Sequence, residues 1–423
     1  MELANKLFKG DRTIWVIYMF LCLVSIVEVY SATSTLAYKA VYFWSPIMRH
    51  AWFLFIGFMA VLALHNIPSR YFSAAIIILP CAIILLIVTL CAGVSKNDAL
   101  RWISFMGASF QPSEFAKFGS IVFVAFMLSK QERFTPDRTF WIILSGVGLA
   151  CALILPENFS TAFLLGAVCY LMMIIGQAPA KKLVWLLVIL LLLGGLAFAV
   201  VRYMPADVAG KYLPDRMVTW NERIKDFGKD RDESKYVLND DNLQVNHAKI
   251  AIARGGIIGN LPGRSVQRDF LPVAFSDFIY AIIIEEMGLV IGGGGVLALY
   301  VILLFRVAVI ARRCKKLFPK YLALGCGLQI AIQAFLNMAV AVNLIPVTGQ
   351  PLPLISQGGT SIVFTCMCFG IILSVSRFSA GMGNEDGETG NGEEEETAAA
   401  AVEMNGDGRA EEEDGNGNGD NLS

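Results

Sequence analysis

Charge is what this chain is short of. Only 16% of its 423 residues are Asp, Glu, Lys or Arg, where soluble domains carry about 25%. Its length alone would suggest two or three soluble domains, but that expectation fails for a chain dissolved in lipid. Histidine is scarcer still. His50, His65 and His247 are scattered and make no metal-ligand cluster. The nine cysteines all sit in or beside apolar stretches and none lies in the one long polar loop, which argues against a disulfide framework. The first apolar stretch lacks a clear small-x-small cleavage site, so it reads as a helix that stays. No convincing internal repeat is present. Glycine and proline interruptions cluster at 255–263 and 345–359, both in the C-terminal half. A transporter built from inverted repeats would often pair such breaks between its halves.

What is there is apolar sequence: 56% of residues are hydrophobic and mean hydropathy is +0.60. A spanning helix needs about 20 apolar residues. Candidate stretches fall near 13–33, 48–66, 71–93, 113–130, 139–155, 159–176, 182–203, 277–310, 320–342 and 359–378. The expected fold is therefore an all-α polytopic membrane protein of about ten transmembrane helices with one large extracytoplasmic loop, 204–276. The fourth stretch is the weakest, because Glu114 and Lys117 lie in its first turn.

Basic residues fix the orientation. With a cytoplasmic N-terminus (1–12), the inner segments hold sixteen Lys and Arg, among them Arg12, Arg306, Arg312, Arg313 and Arg377. The short outer loops hold only Lys39, Arg49, Lys96 and Arg101. Both termini are expected in the cytoplasm and 204–276 outside. The final stretch, 379–423, is acidic from Glu385 to Asp420, contains no aromatic residue, and is expected to be a disordered tail. Without it the body of the chain is basic.

Three stretches carry candidate chemistry. In 101–117, Arg101-Trp102 suits a membrane interface. Pro112, Ser113 and Glu114 suit a helix start. Glu114 and Lys117 share a helix face and can pair, either bracing helices or facing substrate. In 342–361, Pro346, Pro351 and Pro353 with Gly349, Gly358 and Gly359 interrupt an apolar run. Irregular backbone at membrane depth survives only where protein buries it or it lines a cavity. Ser356, Thr360 and Ser361 could cap the following helix, whose free N–H groups suit a phosphate, or the stretch could be a rigid turn. In 252–288, Asp277 sits where the loop enters the eighth helix. The helix dipole would keep it ionised, as a general base requires, although Ser276 or Asp277 could instead be a plain N-cap. Glu285 and Glu286 lie inside the apolar run, and which of them faces a polar cavity is left open. Arg216, Arg254, Arg264 and Arg268 make the loop cationic, suited to a lipid diphosphate or to anionic headgroups.

Taken together these stretches resemble the SEDS family (shape, elongation, division and sporulation), which includes FtsW, RodA and SpoVE. The likeness runs from about Gly10 to Phe378. It rests on the Tyr-Ser-Ala ending at Tyr30–Ala32, on RWISFMGASFQPSEFAK at 101–117, and on the Asn…Pro-x-x-Gly-x-x-Leu-Pro-x-x-Ser-x-Gly-Gly-Thr block from Asn337. Membership implies a peptidoglycan glycosyltransferase that polymerises lipid II and releases undecaprenyl diphosphate. It implies lipid II, a class B penicillin-binding protein and other divisome proteins as partners, with no nucleic acid. The likeness leans to the FtsW division branch, hence to the inner membrane at the septum. The family's required Asp precedes a Phe, and Asp277-Phe278 matches it. On this reading Arg101, Glu114, Lys117, Arg216, Arg254, Arg264, Ser356, Gly358 and Gly359 are expected at the substrate. Two departures stand out. Val273 replaces a usual Glu, and Pro156–Ala162 keeps Thr161 but lacks the usual Asp. No cofactor is expected; a divalent cation at the diphosphate is chemically reasonable, but no ligand cage is recognisable. The rivals from other classes are a lipid II flippase and a non-catalytic division scaffold.

Overall fold

A computed structural model describes residues 8–32, 45–92, 103–105, 108–131, 133–203, 243–271 and 275–379. It is a helical bundle, and each of the ten apolar stretches contains a helix. In chain order these are α1 (Arg12–Ala32), α2 (Ser45–Leu64), α3 (a 3₁₀ turn Ser69–Ile77 running into Ile78–Ala92), α4 (Pro112–Ser129), α5 (Pro136–Ile154), α6 (Phe159–Ile175) and α7 (Ala180–Tyr203). After α8 (Leu243–Gly255) come α9 (Ile279–Arg313), α10 (Leu317–Ala341) and α11 (Gly359–Ser379). Among the described residues eight helices are long and apolar enough to cross a membrane; α6 is apolar but shorter. Ahead of α4, β1 (Ile103–Phe105) pairs antiparallel with β2 (Ala108–Phe110). The acidic tail, Arg101 and residues 204–242 lie outside the described residues. So do Pro272–Ala274, including Val273.

The least apolar spanning helix is the most enclosed. α4 is 78% buried and packs against α3, α5, α6 and α10, so Glu114, Lys117 and Ser120 point into protein rather than lipid. Pro112 opens it at the first turn, where a missing N–H costs nothing. In α3, Pro80 comes just after the change from 3₁₀ to α. Its ring and absent N–H prevent a regular α-turn back to residue 76.

α9 is broken. Met287 ends its first segment, and Gly288, at φ +80°, starts a wider turn through Gly295 before α-geometry resumes. The break frees backbone carbonyls and N–H groups that the segment after α8 satisfies. Asn260 N–H donates to Glu285 O (3.0 Å), Leu261 N–H to Glu286 O (2.8 Å), and Leu289 N–H to Gly256 O (2.9 Å). The two backbones touch. A Cβ on Gly255 would lie 2.1 Å from Ile284 O, and one on Gly288 would lie 2.4 Å from Ile257 O. The tract expected to be purely an outer loop thus contains a helix and a turn packed against the interior of α9.

Candidate functional site

Asp277 is half-buried in a tight turn, 275–278, that leads into α9. It does not cap the helix. The N-cap is Phe278, which makes no side-chain cap bond, and Ser276 Oγ donates to Asp277 Oδ1 instead (3.0 Å). The turn is held from behind through three consecutive carbonyls. Phe275 O accepts from Gln357 N–H (3.0 Å), Ser276 O from Ser356 Oγ (2.6 Å), and Asp277 O from Asn337 Nδ2 (2.9 Å). The side chain of Asp277 carries none of this fixation. Its backbone is positioned by these three bonds.

The donors come from α10 and from the loop between α10 and α11. Asn337 Nδ2 also donates to Gln350 O (2.8 Å), and Gln350 Nε2 reaches Thr161 Oγ1 at the start of α6 (2.9 Å). Ser356 Oγ accepts from Leu352 N–H (2.7 Å) while donating to Ser276 O. It therefore does not cap α11; that start is closed by Ser361, whose N–H and Oγ both donate to Gly358 O (2.8 Å each). Gly349 takes φ +64°, and a Cβ there would sit 3.7 Å from Asp277 Oδ2, so this loop passes beside the carboxylate. Buried Leu354 adopts φ +69°, which costs an L-residue of order 1–3 kcal/mol and persists only where surroundings enforce it.

The network continues to α4. Gln333 Nε2 donates to Pro351 O (3.0 Å), and Lys117 Nζ donates to Gln333 Oε1 (3.2 Å) and pairs with Glu114 (2.8 Å). Glu114, Lys117, Phe118, Gln329, Gln333 and Phe364 line a narrow cleft. Asp277, Ser356, Gly358, Lys117 and Glu114 are thus gathered on one polar scaffold. Sequence reasoning passed over Gln329 and Gln333 and gave Asn337 only as the start of a motif; the three form its spine. Their spacing of four residues places a polar stripe on one face of an apolar helix, and that was a readable signal.

Arg254 and Arg268 belong to a different cluster, around Glu285 and Glu286. Both carboxylates are fully buried, and both face the turn that follows α8. Glu285 accepts from Ser265 Oγ, Val266 N–H (3.2 Å) and Gln267 N–H (3.3 Å), and Arg254 Nε lies 3.6 Å away. Glu286 accepts from Gly263 N–H (3.0 Å), Ser265 N–H (3.3 Å) and Ser31 Oγ. Arg268 joins Ser31 Oγ (2.9 Å) to Gly263 O (3.0 Å). Arg254 remains half-exposed and Arg264 exposed, so both keep guanidinium surface for an anion. Arg216 and Arg101 fall outside the described residues. Gly359 takes φ +35° at the first turn of α11. Among the described residues no three His, Cys, Asp or Glu side chains converge as a metal site would require.

Residues 11–381 match a family model described as cell cycle protein, FtsW/RodA/SpoVE. The chain is 31% identical over 399 residues to the probable peptidoglycan glycosyltransferase FtsW of Bacillus subtilis (strain 168), covering 89% of this chain and 93% of that one. It is 29% identical over 385 residues to stage V sporulation protein E of the same organism, covering 89% of this chain and all of the relative. Among solved structures, the rod shape determining protein RodA of Thermus thermophilus superposes with a TM-score of 0.60 at 21% identity, covering 87% of this chain and 97% of that one. A chain from a peptidoglycan synthase complex that coordinates polymerization and crosslinking superposes with a TM-score of 0.65 at 20% identity, covering 88% of this chain and 98% of that one.

Proposed function

We propose, because the chain belongs to the FtsW/RodA/SpoVE family of cell cycle proteins, that it is a peptidoglycan glycosyltransferase which polymerises lipid II at the outer face of the inner membrane during division. The observation that carries the reading is the turn 275–278. Three consecutive carbonyls are fixed by Gln357, Ser356 and Asn337, so the backbone that carries the Asp277 carboxylate is held in place. That is how a general base is held, because proton abstraction requires a carboxylate placed within hydrogen-bond reach of its substrate.

In this mechanism the 4-hydroxyl of one lipid-linked disaccharide attacks the anomeric carbon of the other. A new glycosidic bond forms, the bond from that carbon to the diphosphate breaks, and the hydroxyl proton passes to Asp277. Undecaprenyl diphosphate leaves with the electron pair. Arg254 and Arg264, with Arg216 and Arg101, meet the charge that grows on it. Ser356 positions Asp277 through Ser276 O, Glu114 and Lys117 brace the loop behind it, and the Gly358-Gly359 turn meets the substrate. A divalent cation bound there would offset the negative charge on the diphosphate, without assigned ligands. The partner is a class B penicillin-binding protein, which crosslinks the strands, beside other divisome proteins. Both termini face the cytoplasm.

The test is polymerisation of labelled lipid II by the purified protein with its transpeptidase partner. Asp277→Asn should lower the rate about 100-fold or more with unchanged thermal stability. Polymer formed at the wild-type rate by Asp277→Ala would defeat the assignment. Transbilayer movement of lipid II by a wild-type protein that makes no polymer would support a flippase instead.

A further inference from the structure

The end of the bundle farthest along α9 from Asp277 holds a second built feature. A cleft of ≈ 630 Å³ opens between the segment leading into α1, the end of α9 and the end of α11. Lys9, Arg12, Arg313 and Arg377 line it, and among the described residues none of these four is paired with a carboxylate. Arg377 donates to the neutral amide of Asn66 (2.7 Å). The cleft's one acid is already engaged. Asp11 Oδ1 caps α1 by accepting from Thr13 N–H (2.9 Å) and Ile14 N–H (3.2 Å), and its Oδ2 is bound by Arg306. The wall is firm as well: Trp15 Nε1 donates to Lys9 O (3.1 Å), and Gly10 lies against Leu373 O. Among the described residues this is a fixed pocket with four cations and no acid left to balance them, which suits an anion.

We propose that this cleft is a docking site for the chain's own acidic C-terminal segment. Ser379, the last described residue, lines the cleft itself. Residues 380–423 contain fourteen Asp and Glu against one base, Arg409. Glu385 follows Ser379 by six residues, within about 20 Å of extended chain, and the run Glu393–Glu396 follows eight residues later. Tethering at the rim gives the segment an effective concentration in the millimolar range. Several carboxylates against four guanidinium and ammonium groups then make an association that salt weakens. The site is remote from Asp277, so it stands or falls independently of the glycosyl-transfer reading.

The experiment uses the full chain in lipid nanodiscs containing phosphatidylglycerol, with a photo-crosslinking benzoylphenylalanine in place of Val309, an apolar residue of the cleft wall. The expected adduct joins position 309 to a peptide from 385–414. It should fall at least fivefold in 0.5 M salt, in Arg12→Glu/Arg313→Glu, and in a variant with Glu393–Glu396 changed to Gln. Size-exclusion profiles matching the parent establish that the variants fold. An adduct to phospholipid in place of the tail, absence of a tail adduct, or a tail adduct indifferent to charge reversal would each overturn the proposal.

Discussion

Asn337 shows how little of a membrane site is decided by the reactive group itself. One amide donates to Asp277 O and to Gln350 O, tying the turn before α9 to the loop before α11. Asn337→Ala removes both donors and leaves two carbonyls short of a partner. Each lost bond is worth about 1 kcal/mol, and an unsatisfied buried group adds about 1–3. The variant should melt several degrees lower and polymerise more slowly, with kcat falling more than KM rises, since substrate contacts remain. A normal rate at the lowered melting temperature would show that Asp277 needs no such support. Lys117 gives a second test at this scale. It is 4% exposed and pairs with Glu114, so Lys117→Met strands a buried carboxylate at about 3–5 kcal/mol. Glu114→Gln/Lys117→Met removes both charges and should recover much of the melting temperature. A double variant no better than the single one would mean that the bond from Lys117 to Gln333, and not the pair, is what matters.

Helices were the legible part of this fold. Apolar length located α1 to α7 and α9 to α11, and charge in the first turn marked α4 as the exception. Its reason became visible only in packing, because a helix surrounded by protein need not be greasy. The break in α9 was not legible. Gly288 can be read as one of several glycines in GLVIGGGG, and nothing local says which one turns. What decides it is a second backbone thirty residues earlier in the chain, whose N–H groups take the freed carbonyls. The same long-range logic hid the roles of Glu285 and Glu286. Their partners are backbone amides of 263–267, which no side-chain pattern reveals. For the element this predicts a sharp contrast. Gly255→Ala and Gly288→Ala force a methyl into backbone and should abolish a monodisperse detergent-solubilised peak. Gly194→Ala in α7, where a Cβ meets nothing within 4 Å, should be neutral or stabilise by up to about 1 kcal/mol. Equal expression and melting for all three would show that the crossing of α8 and α9 is not tight.

At the scale of the whole molecule, position along α9 separates two chemistries. Asp277 precedes its first turn and Arg313 ends it, 35 helical residues later, or about 50 Å at 1.5 Å per residue. Arg306, Arg312, Arg313, Lys315, Lys316 and Lys320 gather near the second end, where the positive-inside rule places cytoplasm. The orientation proposed above turns the first end outward. All nine cysteines are free thiols, so a cysteine-free version breaks no bridge and allows single reporters to be added. In intact spheroplasts a membrane-impermeant maleimide should label Arg264→Cys at once. Lys316→Cys should label only after permeabilisation. The reverse pattern would put Asp277 on the cytoplasmic side, where a polymerised strand would have no way out, and outward glycosyl transfer could not stand whatever the rate defect of Asp277→Asn.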